Sequence, residues 1–234
     1  FPPDTLRLEL GIQSLNPRVC AAINRPSYPE KELETLGFLR RQTNAIVHAD
    51  LIAGLPGEDM ASFGEGFDRL WRILTAPPAE TPSSVETPPG ETPWRGSFEI
   101  QLGILKGLPG TPLRELDEKF GMVYAPEPPY EVIETAALGR EDLDRLRNFA
   151  RFWELIVNRP WKTKDRSRNN AGGSAGVFGE SPVMLPPGEP VFWTFMDLAE
   201  GLFRVFRRNW GIDRNALRAA ILERPIPGGP VQGG

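Results

Sequence analysis

The chain has 234 residues, enough for one large domain or two small ones, and its 40% hydrophobic and 25% charged residues are ordinary for a globular protein. A net charge of −4 gives no electrostatic reason to expect nucleic acid as a partner. The single cysteine excludes an internal disulfide framework and points to a reducing, cytoplasmic setting, while no apolar run approaches the roughly 18–20 residues that span a bilayer, so no membrane partner is expected.

Residues 5–13 alternate, with Leu6, Leu8, Leu10 and Ile12 opposed to Arg7, Glu9, Gly11 and Gln13, which predicts a strand. Asn16–Pro17 is a helix start, an N-cap followed by proline at the first helical position. A longer helix is expected from Pro29 to about Gln42, then a second strand over Ile46–Ile52. Residues 59–74 read as a helix whose apolar face carries Phe63, Phe67, Leu70, Trp71 and Leu74. Glu99–Leu105 is a third strand, and a short helix is expected near Leu113–Lys119 among turns at Pro109–Gly110 and Pro126–Tyr130. From Arg140 the pattern turns helical: one helix through Leu143, Leu146, Phe149, Phe152, Trp153 and Ile156, another from about Val191 to Asn209, and a short one near Asp213–Glu223.

Strand, helix, strand, helix, strand implies parallel pairing. Parallel strands usually read as continuously apolar because both faces are covered. Here one face of each strand carries Glu9, Gln13, His48, Asp50, Glu99 or Gln101. A barrel turns such a face into a polar lumen, whereas an open sheet covered on both sides would bury those groups at considerable cost. The expected fold is α/β: the C-terminal portion of a (β/α) TIM-type partial barrel over residues 1–125, interrupted by a Pro-rich insertion at 75–96. An α-helical domain follows over 126–224, with a Gly-rich connector at 165–189, and a disordered tail over 225–234. Charge supports two units, since residues 1–139 carry 12 basic and 20 acidic side chains against 15 and 11 in residues 140–234.

Gln13, Arg25 and Asp50 form the strongest constellation. Gln13 and Asp50 lie at the C-terminal ends of neighbouring strands, where barrel enzymes place their active sites, and Arg25 follows a short helix that can return it to that rim. An amide, a guanidinium and a carboxylate together suit a ligand with a ribose, a carboxylate and an ammonium group. Read from composition alone, Arg25 and Asp50 could instead form an ion pair closing the rim. Glu9 faces the lumen and either meets a ligand amine or pairs with Arg7 or His48. His48, the only histidine, reads as hydrogen-bonded core before it reads as a base. Cys20, among Val19, Ala21 and Ile23, reads as a small core residue, because one thiolate cannot hold a cubane cluster. Trp153, Trp193, Phe195, Phe203 and Phe206 are read as helix–helix core.

Gly11-Ile12-Gln13, Asn24–Arg25 and Asp50-Leu51-Ile52-Ala53-Gly54-Leu55-Pro56 resemble the fourth- and fifth-strand motifs of the coproporphyrinogen-oxidase-like branch of radical S-adenosylmethionine (SAM) enzymes. The resemblance implies that Gln13, Arg25 and Asp50 contact SAM, that Glu9 faces the same ligand, and that the turn beginning at Gly54 passes the adenine. Gln101-Leu102-Gly103-Ile104-Leu105-Lys106-Gly107-Leu108-Pro109-Gly110-Thr111-Pro112, Pro128-Pro129-Tyr130-Glu131-Val132 and the Arg145–Trp153 helix resemble the uncharacterised C-terminal domain of cobalamin (B12)-binding radical SAM proteins. Such proteins carry a [4Fe–4S] iron–sulfur cluster on a Cys-x3-Cys-x2-Cys loop and a cobalamin domain, both ahead of these elements. With one cysteine, this chain reads as the back segment of such an enzyme, contributing SAM-binding and substrate-wall residues and inactive without its missing N-terminal part. No residue is assigned a catalytic role and none a metal. Two other classes stay open: a non-catalytic interaction module completing a partner's barrel, and an unrelated barrel lyase or isomerase working through Glu9, His48 and Asp50.

Overall fold

Alternating apolar and polar side chains build the first strand, β1 (Arg7–Gln13), and Asn16 caps the short helix α1 (Pro17–Ala22) by accepting from the Arg18 N–H. The computed structural model describes residues 5–75, 97–159, 183 and 185–223. Helix α2 (Pro29–Gln42) leads to β2 (Ile46–Ala53), and α3 (Met60–Thr75) precedes β3 (Ser97–Ile104). These three strands pair in parallel in the order β1-β2-β3, making a mixed α/β architecture with one three-stranded parallel sheet. The expectations for the Pro-rich insertion at 76–96, for residues 165–182 and for the tail from 225 lie outside the described residues.

Register fixes which side chains share a face. Glu9, His48 and Glu99 stand opposite one another across the sheet, followed by Gly11, Asp50 and Gln101. The other face presents Val47, Ala49 and Leu51 with Phe98 and Ile100, all buried. Helices cover that apolar face, and the polar face carries the half-buried or exposed Glu9, Asp50, Glu99 and Gln101. One-sided cover explains how these strands carry so many polar groups without the cost of burying them on both sides.

After β3 the chain forms a 3₁₀ turn (Pro112–Leu116), the four-residue helix α4 (Asp117–Phe120) and a small antiparallel pair, β4 (Val123–Tyr124) with β5 (Val132–Glu134). The turns expected at Pro109–Gly110 and Pro126–Tyr130 are present, and the short strands that flank the second are an addition to that expectation. Two or three residues are too few to show a period, and long-range pairing sets the strands. Helix α5 (Arg140–Trp153) continues as a π-helical turn (Glu154–Asn158), then come α6 (Phe192–Phe206) and α7 (Arg214–Leu222). Residues 185–189, read as connector, dock on α3: Trp71 Nε1 donates to the Pro186 carbonyl at 3.1 Å and Gly188 N–H to Thr75 Oγ1 at 2.9 Å.

A continuous core joins the sheet to the C-terminal helices. Phe67 and Trp71 of α3 meet Trp153 of α5 edge-on at 4.7 and 5.5 Å between ring centroids, and Phe149 and Trp153 both meet Phe195 of α6 at 5.1 and 4.9 Å. The aromatic stripe is therefore core at Trp153 and Phe195. Phe203 and Phe206 are half-buried, and Trp193 is 49% exposed, because it follows Phe192 by one position and points away from the face that Phe192 buries. Among the described residues no helix is long and apolar enough to cross a membrane.

Candidate functional site

The C-terminal end of β1 is irregular, and the irregularity gathers the side chains. Register slips between Gly11 and Gln13, so Gly11 pairs with Asp50 and Gln13 with Leu51. Gln13 has φ +67°, and the Ser14 N–H donates to the Ile12 carbonyl at 2.9 Å across it. That is a three-residue γ-turn of the rare, positive-φ kind, which a non-glycine residue occupies only under constraint. The slip re-aims the side chain as strand bulges do, and the Gln13 amide curls back over Gly11. A Cβ built on Gly11 would lie 2.6 Å from Gln13 Nε2 and 4.0 Å from Arg25 Nη2.

Arg25 reaches the same point through the end of α1. Asn24 adopts the left-handed conformation (φ +54°), its N–H donates to the Ala21 carbonyl, and the Arg25 N–H donates to the Cys20 carbonyl. This pair of bonds is the Schellman ending, in which asparagine is a common substitute for glycine. It turns the chain back, and the Arg25 guanidinium donates to the Gly11 carbonyl. Asparagine before the arginine thus has a structural reason.

Asp50 stands beside Gly11 on β2. Burial raises its carboxyl above the usual carboxylate range, the nearby Glu9 charge adds to this, and His48 opposes it. Its Oδ1 is buried with no hydrogen-bond partner. Gln13, Arg25 and Asp50 therefore converge on one strand-end rim, and among the described residues no ion pair links Arg25 to Asp50. Glu9 lies one pleat below, exposed, paired with neither Arg7 nor His48. His48 is 6% exposed, and its Nδ1 sits between the Gln101 amide and the Glu99 carboxylate, the latter at 3.5 Å. Gly54 has φ +86°, and a Cβ there would lie 2.4 Å from Val132 Cγ1 and 3.3 Å from Leu143, so its bare Cα is used to seat β5 and α5.

Sequence reasoning did not single out Glu58. It is 2% exposed, accepts from the Ser14 hydroxyl at 2.6 Å and more weakly from Ser62 at 3.4 Å, and keeps Oε2 buried without a partner. Burial pushes its carboxyl up to about 7, against the pull of the two serine hydroxyls. A glutamate just after a Leu-Pro-Gly turn resembles any surface residue, since its partner Ser14 is remote in sequence. Cys20 is buried, as read, and donates from Sγ to the Ser14 carbonyl at 3.2 Å. Among the described residues no three His, Cys, Asp or Glu side chains cluster as metal ligands.

A family model described as a protein of unknown function, DUF4080, matches residues 118–161, which run from α4 through β4, β5 and α5 to just past the π-helical turn. No curated protein matches the chain.

Proposed function

We propose that this chain is the SAM-recognising back segment of a cobalamin-type radical SAM enzyme, with its three parallel strands forming part of a (β/α) barrel wall. The observation that carries the reading is the convergence of Gln13, Arg25 and Asp50 around Gly11, with a buried, unpartnered carboxylate oxygen at Asp50. These groups are not consumed by one another, and they match the donors and acceptors that SAM requires. Arg25 would pair with the ligand carboxylate, while Gln13 and Asp50 would hydrogen-bond it from adjacent strand ends. The matched family, which is known in B12-binding radical SAM proteins, supports the assignment of the C-terminal part. The polar face through Glu9, His48 and Gln101 would form the substrate wall.

A [4Fe–4S] cluster does not fit the residues of this chain: its one cysteine is buried and already donates to Ser14. On this reading the cluster ligands and the cobalamin site belong to a preceding part of the protein.

The test is made on the intact protein, by measuring SAM affinity and melting temperature on the same variant. Losing a hydrogen bond to a charged group costs about 1.5–3 kcal/mol, so Arg25→Ala should weaken SAM binding roughly ten- to a hundred-fold. His48→Gln should leave it nearly unchanged. An Arg25→Ala protein with a lowered melting temperature and undiminished SAM affinity would refute the site. Reading the gene upstream of Phe1 is an independent check, with a Cys-x3-Cys-x2-Cys motif as the expected find.

A further inference from the structure

We propose that Glu58 is a positioning residue for the strand-end site: through Ser14 it holds the γ-turn that aims the Gln13 amide over Gly11 beside Arg25. The proposal rests on the reading of Gln13 and Arg25 as ligand-recognising groups. Gln13 sits at positive φ, a strained conformation for a non-glycine residue that persists only where the surroundings over-determine it.

The constraint on the carbonyl-side neighbour, Ser14, is unusually complete. Its N–H closes the γ-turn onto Ile12, its carbonyl accepts from Cys20 Sγ, and its hydroxyl both accepts from the Asn16 N–H at 3.0 Å and donates to Glu58. Ser14 is 2% exposed, so solvent does not compete for these bonds. Glu58 is fixed in turn from the other loop. It follows the turn at Gly57 (φ +81°), its N–H donates to the Leu55 carbonyl, and the next residue, Asp59, accepts from the Ser62 N–H at 2.8 Å at the start of α3. Ser62 closes the circuit by accepting from Asn16 Nδ2 at 2.7 Å. The β1–α1 loop, which follows Gln13, and the segment from the β2–α3 loop into α3, which follows Asp50, are thus tied by the buried Glu58 carboxylate and, further out, by Asn16 and Ser62. Removing the Glu58 tie takes away the one bond that links Ser14 to the second loop and so loosens the turn that holds Gln13.

The test uses the intact protein and the variants Glu58→Ala, Glu58→Gln and Ser14→Ala. Glutamine keeps an acceptor for the Ser14 hydroxyl, and Ser14→Ala deletes the link with minimal change in volume. Two readouts are compared: SAM affinity, and, without SAM, the NMR resonance of the Gln13 side-chain amide together with hydrogen exchange at the Ser14 N–H, with Val47 as core reference. In Glu58→Ala and Ser14→Ala the Gln13 resonance should move, Ser14 exchange should rise, and SAM affinity should fall about tenfold. Glu58→Gln should stay near wild type in all three, and the double variant should lose no more than either single one. A lowered melting temperature with unmoved Gln13 resonance, Ser14 exchange and SAM affinity would overturn the proposal. If the resonance and exchange respond but SAM affinity is unchanged even in Arg25→Ala and Gln13→Ala, the positioning role stands and the SAM assignment is the part that fails.

Discussion

At the scale of a single residue, Glu58 combines one committed carboxyl oxygen with one that has no partner, in a buried loop junction. Its carboxyl is raised from 4.5 to about 7, so the folded chain holds its proton more tightly than the unfolded chain does. The associated stability is fully present below pH 4.5 and is lost as pH rises through about 7. The displacement corresponds to roughly 3 kcal/mol. Glu58→Gln removes this dependence while keeping the acceptor for Ser14. The expected outcome is a stability difference, variant minus wild type, that grows by about that amount between acid and pH 8, read from urea melts at several pH values. Asp50 and Asp68, whose carboxyls are also raised by burial, are common to both proteins and cancel in the difference. A difference that is flat with pH would show that Glu58 does not titrate in this range.

At the scale of elements, the order and type of the long pieces were legible in the sequence because each shows its period over many residues. The 2-residue alternation of β1, the apolar stripe of α3 and the proline at the start of α2 are local signals, and the strands and helices form where those signals lie. That Gln13, Arg25 and Asp50 would lie together at one strand-end rim was legible in the sequence, but their geometry was not. The γ-turn at Gln13, the Schellman ending at Asn24 and the buried tie to Glu58 depend on contacts between loops far apart in sequence. Asp68 makes the same point for packing. It lies in α3, yet its Oδ1 accepts the N–H groups of Val191 at 2.7 Å and Phe192 at 2.9 Å, capping α6 from a different helix. A carboxylate near those first N–H groups also complements the helix dipole. No reading of the α6 sequence would reveal a cap supplied 123 positions away. Asp68→Ala should therefore destabilise the protein by about 1 kcal/mol, the usual worth of an N-cap. Asp68→Asn, which keeps an acceptor, should recover much of that loss in the same denaturant titration. Equal losses in the two variants would mean that the negative charge, and not the hydrogen bonds, is what α6 requires.

At the scale of the whole molecule, the two outer edges of the sheet are treated differently. The Ile46 N–H donates to the Leu6 carbonyl, so in a parallel ladder the even-numbered residues of β1 bond toward β2 and the backbone of Arg7 and Glu9 points outward. By the same counting, Leu105 donates to Ala53 and the even-numbered residues of β3 point away from β2. On that side the π-helical turn after α5 lies along the strand, and Asn158 Nδ2 donates to the outward Ile100 carbonyl at 3.0 Å. The C-terminal helices thus block one edge, while among the described residues no strand pairs with the other. An unpaired parallel edge is a template for another strand. Residues 1–234 expressed alone should therefore associate in a concentration-dependent way, as sedimentation velocity over a range of loading concentrations would register. Arg7→Pro removes one outward N–H without breaking a bond to β2, so it should suppress the association and leave the fold intact by circular dichroism. A strictly monomeric wild-type chain at all concentrations would mean that the β1 edge is already protected. Association that survives Arg7→Pro unchanged would move the contact away from the β1 edge to another part of the surface.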